Sequence, residues 1–425
     1  MKRYKKRLVD ELVLPKLYLG GLLIEGVKDC GKTMTAQRIA SSAINLLENK
    51  VEIEFLLDTK PENLLDGPYP QLIDEWQAYP LIFNLIKTRI DEDQDRKYIL
   101  AGSANPPNKA LLQIHSGAGR FAVLQMKTMS WLEKGYSNGS ISLNMIQQNR
   151  QKFDGMSKLT LEELITRIAI GGWPRTIHES DKKSITFVKD YLKLTNDSVL
   201  STDGSSHLNP VRLEALFKSI SRNIATPVKY STLANDIDSQ IQDYETVRSY
   251  VEALEKAFLV EKLPSWNVHL RSSASLRKTP KIHFCDPSIA ISALLKDPMS
   301  LMKDGNFFGL LFESLVYHEL SIYAYFNNAK LFYYQDSEAN EIDYIVDFGN
   351  RTWLPIEVKL NPYATDKKSG KNVIDLASKN LHRIISKIDT AKMGEPLDPL
   401  IITAWGPAAT RKDGVRIVPL DMLGV

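Results

Sequence analysis

Eight consecutive residues, Gly26-Val27-Lys28-Asp29-Cys30-Gly31-Lys32-Thr33, have the composition needed to grip a phosphate chain. Glycines let backbone N–H groups wrap the anion, Lys32 neutralises β- and γ-oxygens, and the Thr33 hydroxyl holds Mg²⁺. With Met34 closing the cradle, Gly26 to Met34 is the candidate ATP site. Further on, Gln71-Leu72-Ile73-Asp74-Glu75 ends an apolar run on two adjacent carboxylates. In that order Asp74 orients the Mg²⁺ shell and Glu75 polarises the attacking water. A third apolar run, Tyr98 to Ala101, ends at Gly102-Ser103-Ala104-Asn105, where Ser103, backed by Asn105, is the candidate sensor of the γ-phosphate. Arg120, between the His115–Gly119 turn and the apolar stretch Phe121 to Leu124, is left with two readings: an arginine finger at the nucleotide or a surface ion pair.

Near the other end, Pro355-Ile356-Glu357-Val358-Lys359-Leu360 alternates. In a strand that pattern puts Glu357 and Lys359 on one face and Ile356, Val358 and Leu360 on the other. Asp343, in the preceding apolar segment, can approach Glu357 and complete an oxygen site for Mg²⁺, with Lys359 placed to orient or deprotonate a water. Glu313, on the flank of an apolar helix face, is the candidate distal acid. Glu319, nearer the centre of that face, is a charge that needs a partner.

These residues require elements to hold them. Leu17 to Ile24 reads as a strand and Met34 to Leu47 as a helix with apolar positions at Ala36, Ile39, Ala40, Ala43 and Leu46, giving the strand, loop, helix order a phosphate loop demands. Helices are expected at 159–168 and 184–194 around Gly171-Gly172-Trp173-Pro174-Arg175, where Arg175 either reaches a phosphate or stands beside a packing motif. Past a polar linker at 201–207, Tyr230 to Ile237 and a helix capped by Asp243 form a helix-turn-helix pattern. Its second helix presents Glu245, Arg248, Ser249, Glu252 and Glu255 outward, a poor face for a DNA groove and a better one for a scaffold. Arg271, Arg277, Lys278 and Lys281 then form either a basic wing or an ordinary solvated loop. From 307 on the order is helix, three strands, helix, strand.

The phosphate loop, Leu72-Ile73-Asp74-Glu75-Trp76-Gln77, the strand end at 101–106, the turn at 115–120 and Met129-Ser130-Trp131-Leu132-Glu133 together resemble the prokaryotic AAA-type ATPases that carry a C-terminal domain of unknown function. The resemblance covers nearly the full length, and departs from the pattern at Ala101 and Asn105, where threonine is expected. It implies an α/β P-loop ATPase core (1–155), a helical lid (156–204), a winged-helix segment (205–281) and a restriction-endonuclease-like αβββαβ module (282–425). In that module Asp343, Glu357 and Lys359 match the PD-(D/E)XK pattern.

Composition sets limits. With 425 residues and 43% hydrophobic content there is material for several cores. A net charge of +3 excludes a global nucleic-acid signature, so DNA would have to meet a local patch. Only Cys30 and Cys285 occur, without metal-type spacing, as expected in a reducing compartment. The basic start, Lys2 to Arg7, precedes an apolar stretch broken by Asp10, Glu11 and Lys16, so neither a signal peptide nor a membrane span is expected, and a cytoplasmic location is. The expected partners are ATP, with DNA, another protein or further copies of the chain left open.

Overall fold

The computed structural model describes residues 4–102, 117–200, 209–237, 244–267, 278–294 and 297–425. Ser103, Asn105, Asp243, Arg271, Arg277 and the 201–207 linker lie outside them.

The first sheet contains β1 (Gly21–Glu25), β2 (Ser42–Asn45), β3 (Gln71–Asp74), β4 (Tyr98–Ala101) and β5 (Phe121–Gln125), all parallel in the order β2-β3-β4-β1-β5. Both faces are covered, which is why β3 and β4 read as unbroken buried runs. Leu22, Ile24, Leu72 and Ile99 pack toward α1 (Asp10–Lys16) and α2 (Lys32–Gln37). Leu23, Ile73, Tyr98 and Leu100 pack on the opposite side, with Phe83, Ile86 and Ile90 of a helix at Ile82–Glu92. The helix expected over Met34 to Leu47 is corrected here: it ends at Gln37, and Ala43 stands in β2, paired with Leu72. Alanines carry little period information, and the ladder with β3 overrides the local pattern.

Ser130 and Glu133 form a reciprocal cap on α3 (Trp131–Lys134), as Thr160 and Glu163 do on α4 (Leu161–Ile170). Next come α5 (Asp181–Leu200), α6 (Pro210–Arg222), α7 (Tyr230–Ile237), α8 (Tyr244–Lys256) and an antiparallel hairpin of β6 (Val260–Leu263) and β7 (Lys281–Phe284). Pro227 bridges to Lys281, so the segment between α6 and α7 touches the hairpin edge. Val247, Tyr250, Val251 and Leu254 are the buried face of α8, as their spacing predicts. The boundary expected between 281 and 282 falls inside β7. Helix α9 (Ser288–Ala293) packs on α4, α5 and α6, so the middle layer continues past it.

Helix α10 (Gly305–Phe326) is buried almost all round, which its near-continuous apolar sequence requires. It lies on one face of a sheet made of β8 (Lys330–Gln335), β9 (Glu341–Asp347), β10 (Trp353–Lys359), β11 (Leu400–Thr403), β12 (Ala409–Thr410) and β13 (Arg416–Pro419), in the order β8-β9-β10-β11-β13-β12. Helix α11 (Val373–Ile385) covers the other face with Ile374, Ala377, Leu381 and Ile384, and it connects the parallel pair β10 and β11. The last residues return to the first half of the chain: Leu423–Gly424 pairs with Ile141–Ser142, and Gly406–Pro407 with Met156–Ser157. Among the described residues no helix is long and apolar enough to cross a membrane.

Candidate functional site

The glycine-rich loop leaves the C-terminal end of β1 and opens α2. Gly26 has φ +150° and a Cβ there would lie 2.0 Å from the Met126 carbonyl oxygen; Gly31 has φ +105°. Both positions need glycine for conformation, and Gly26 also for close approach. Lys32 is buried and its ammonium donates to the carbonyls of Gly26 (2.8 Å) and Val27 (2.9 Å) of its own loop. The Thr33 hydroxyl donates to Asp74 Oδ1 at 3.0 Å. Burial raises the Asp74 carboxyl above its usual range, and the Thr33 hydrogen bond opposes that. Glu75 follows in the left-handed region, φ +54°, and accepts from the Gln77 amide. A cavity of about 710 Å³ joins these groups, lined among others by Tyr4, Lys32, Thr33, Glu75 and Gly102, and by Arg175 from the facing wall. That volume suits a small-molecule ligand.

Arg175 is brought here, 3.7 Å from Asp29 in the loop. Its neighbours are packing residues: Trp173 is fully buried against Tyr191, its indole donating to Ser288, while Gly172 donates to Asp286. Arg120 is not brought here. It precedes β5, so it sits at the N-terminal end of the parallel strands whereas the loop is at their C-terminal end, roughly 15 Å away at about 3.3 Å per residue. Its Nε donates to both oxygens of Asp91, at 2.7 and 2.9 Å. Of the two readings, the surface ion pair is the one observed, and contact with the chain's own nucleotide is corrected.

A residue missed in the sequence is Arg7. It is 4% exposed and donates to Glu133 (2.9 Å), to the Cys30 carbonyl of the loop (2.7 Å) and to the Lys127 carbonyl (2.8 Å). One arginine in a basic run gives no signal of such a role.

The C-terminal acids fall into two linked groups. Glu357 and Lys359 share a face as the alternation predicts, with Nζ 2.8 Å from Oε2, and Asn380 of α11 donates to the other Glu357 oxygen at 3.2 Å. In the ladder between β8 and β9, Phe332 pairs with Ile345 but Tyr334 with Ile342, so β9 carries an extra residue around Asp343. Such a bulge re-aims side chains. Asp343 accepts from the Val358 N–H at 2.7 Å and groups with Glu313 and Glu341, all three offering oxygens within 4.8 Å of one another. Glu341 carries no sequence signal of its own. Lys281 is corrected from wing or solvated loop: it is 1% exposed and its ammonium lies 2.7 Å from Glu313 and 2.5 Å from Glu341.

Burial lifts Glu313 to about 7, with Lys281 pulling it down and Asp343 pushing it up. Burial, then Asp343, lift Glu357 to about 8, against Lys359. For Lys359 burial works to lower the value, but Glu357 and Asp343 outweigh it and hold the ammonium above its usual range. A lysine so held orients water better than it removes a proton.

The two sites are joined by 126–133. Met126 O accepts from Cys30 Sγ beside the phosphate loop, the Thr128 hydroxyl meets His318 of α10 at 2.8 Å, and the Trp131 N–H donates to Glu319 at 2.8 Å. Glu319, fully buried, also accepts from Tyr323 at 2.7 Å, which supplies the partners its charge needs. Close by, His283 of β7 stacks on Tyr317 with ring centres 3.8 Å apart and has Ser314 within hydrogen-bond reach of Nδ1. Burial, then Lys281 and Lys127, hold its pKa well below the usual value. Folding therefore opposes its protonation: the stability is whole above the ordinary histidine value and is lost as pH falls below it, by up to about 1.4 kcal/mol per pH unit. The urea midpoint should drop between about pH 7.5 and about pH 5.5, and His283→Phe should narrow that drop; an equal drop in both proteins would refute it.

Three family models match successive parts of the chain: an AAA domain at 20–134, a domain of unknown function (DUF8612) at 161–300 and a domain of unknown function (DUF4143) at 308–421. The AAA-domain match takes in both the glycine-rich loop and the Asp74-Glu75 pair. The second match continues past 281 to include α9, in line with the packing. No curated protein matches the chain. Among solved structures, the Aeropyrum pernix ORC1 protein in complex with DNA is 12% identical, with 71% of this chain and 95% of that one covered, at a TM-score of 0.27. A Signal Transduction ATPase with Numerous Domains (STAND) protein with a tetratricopeptide repeat sensor, from Pyrococcus horikoshii, is 14% identical, with 75% and 48% covered, at a TM-score of 0.26. At those scores neither likeness carries an argument here.

Proposed function

We propose that the chain binds and hydrolyses ATP at the Gly26–Met34 loop and that its nucleotide state controls a C-terminal module of the PD-(D/E)XK nuclease-like kind, acting on DNA. The observation that carries this reading is the continuity of 126–133, which touches the phosphate loop through Cys30 and Arg7 and touches α10 through His318 and Glu319. Helix α10 also bears Glu313, so a shift at the loop has a packed route to the acids. In the nucleotide site Thr33 and Asp74 are hard oxygen donors already in contact, which suits Mg²⁺; they would hold such an ion, whose charge would offset that of the phosphates. Glu75 polarises the water and Lys32 exchanges its loop carbonyls for phosphate oxygens.

In the module, Asp343 and Glu357 are the acids in the matching positions, Lys359 orients the water and Glu313 is the distal acid. The helices α6, α7 and α8 with the hairpin β6–β7 support a winged-helix reading. Arg248, a cation on the outward face of α8, is paired with Glu252 (2.9 Å) and Glu245 (3.6 Å), which favours a scaffold over a groove reader.

The test is cleavage of plasmid and single-stranded DNA with Mg²⁺ or Mn²⁺, with and without ATP. ATP-dependent cutting should fall by about 10²-fold or more in Lys359→Ala while ATP turnover stays normal. Intact DNA in every nucleotide state, with turnover normal, would favour a second reading: an ATP-driven switch whose module docks a protein or nucleic acid without cutting. The engagement of both Glu357 oxygens by Lys359 and Asn380 is what favours that reading.

A further inference from the structure

The three-acid group on α10 and β9 contains a cation belonging to the chain itself. Lys281 enters it from β7, a strand of the middle layer, and its ammonium is shared by Glu313 and Glu341. Its position is fixed from several sides. Lys281 pairs with Leu263 in the hairpin and bridges to Pro227, and Tyr333 of β8 donates to the Thr279 carbonyl two residues before it. The rings of Tyr333 and Tyr344 flank the ammonium at 5.6 and 5.8 Å. Pro264 and Trp266, just after β6, exchange backbone hydrogen bonds with Tyr333. The lysine is therefore part of a built joint between the middle layer and the C-terminal sheet.

A divalent ion needs several of the same oxygens at about 2.0 to 2.6 Å. It would stand beside a buried ammonium in a site of low polarisability, where like charges repel strongly. The oxygens fit a metal; the lysine among them does not.

We infer that Lys281 is the resident cation of Glu313, Glu341 and Asp343, so that an intramolecular ammonium closes this cluster to divalent metal. The significance of that closure rests on the nuclease-like reading of the module, but ion binding is measured apart from cleavage. A basic side chain of the middle layer thus acts on acids of its own chain in place of phosphates.

The experiment is Mn²⁺ binding to the full-length protein without nucleotide, followed by electron paramagnetic resonance and calorimetry. Wild type, Glu341→Gln, Lys281→Met and Lys281→Met/Glu313→Gln are compared. Wild type and Glu341→Gln should bind alike. Lys281→Met should gain one Mn²⁺ equivalent with affinity raised roughly tenfold or more, and the double variant should lose it. A Mn²⁺ site in wild type that Glu341→Gln removes overturns the inference, as does a folded Lys281→Met that gains nothing. If Lys281→Met does not fold alone, Mn²⁺ should restore its fold, and the comparison of wild type with Glu341→Gln decides independently. Absence of cleavage in all proteins would count against the nuclease reading and leave the ion-binding result intact.

Discussion

Glu75→Gln is expected to cut ATP hydrolysis by about 10²- to 10⁴-fold while ATP binding is retained, because under the proposed function it removes the group that polarises water and leaves the Gly26–Met34 loop untouched. Glu75 directly follows the strand that ends in Asp74, and its left-handed backbone turns it into the cavity that Lys32 and Thr33 also line. The amide of glutamine keeps size and can still meet Gln77, so the loss reports chemistry more than folding. Single-turnover hydrolysis together with binding of a fluorescent ATP analogue separates the two. Unchanged hydrolysis would remove Glu75 from the role and direct attention to Asp74.

Arg7→Met is expected to destabilise the first domain by about 3–5 kcal/mol, since it leaves the Glu133 carboxylate buried without its cation. The pair is nearly sealed, with side chains 4% and 3% exposed. The same change takes a donor from the Cys30 carbonyl, so ATP affinity should fall with stability. Lys6→Met is the control: its partner Glu11 and the lysine itself are largely exposed, and its loss should leave the unfolding midpoint close to that of wild type. Urea unfolding of both variants, with Arg7→Met/Glu133→Gln as partial rescue, measures the difference. Equal midpoints for Arg7→Met and wild type would show that the cation is dispensable.

Some of this was legible locally. A phosphate loop is a contiguous stretch whose backbone does the binding, so Gly26 to Thr33 announces itself without knowledge of any other element, and β3 ends in acids because a buried parallel strand delivers its polar residues at its tip. The alternation that puts Glu357 and Lys359 together is likewise a property of one strand. The small-residue stretch around Ala43 misled because its apolar spacing fits a helix as well as a half-buried edge strand, and pairing with β3 decides between them.

The amino-acid sequence by itself determined the glycine-rich loop between a strand and a helix, the Asp74-Glu75 pair at a strand end, the amphipathic face of α8 and the element order of the C-terminal module, since each depends on backbone geometry or periodicity within a short span. Only the tertiary structure decided what is non-local. It put Arg120 at the end of the sheet away from the nucleotide, folded Arg7 under the loop, and turned Glu341 toward Asp343 across a bulge. It also sent Lys281 from the middle layer into a cluster on another sheet. The physical reason is common to all four: a charge takes its meaning from the partners that burial forces on it, and such partners are set by packing between elements, which no local pattern in the chain records.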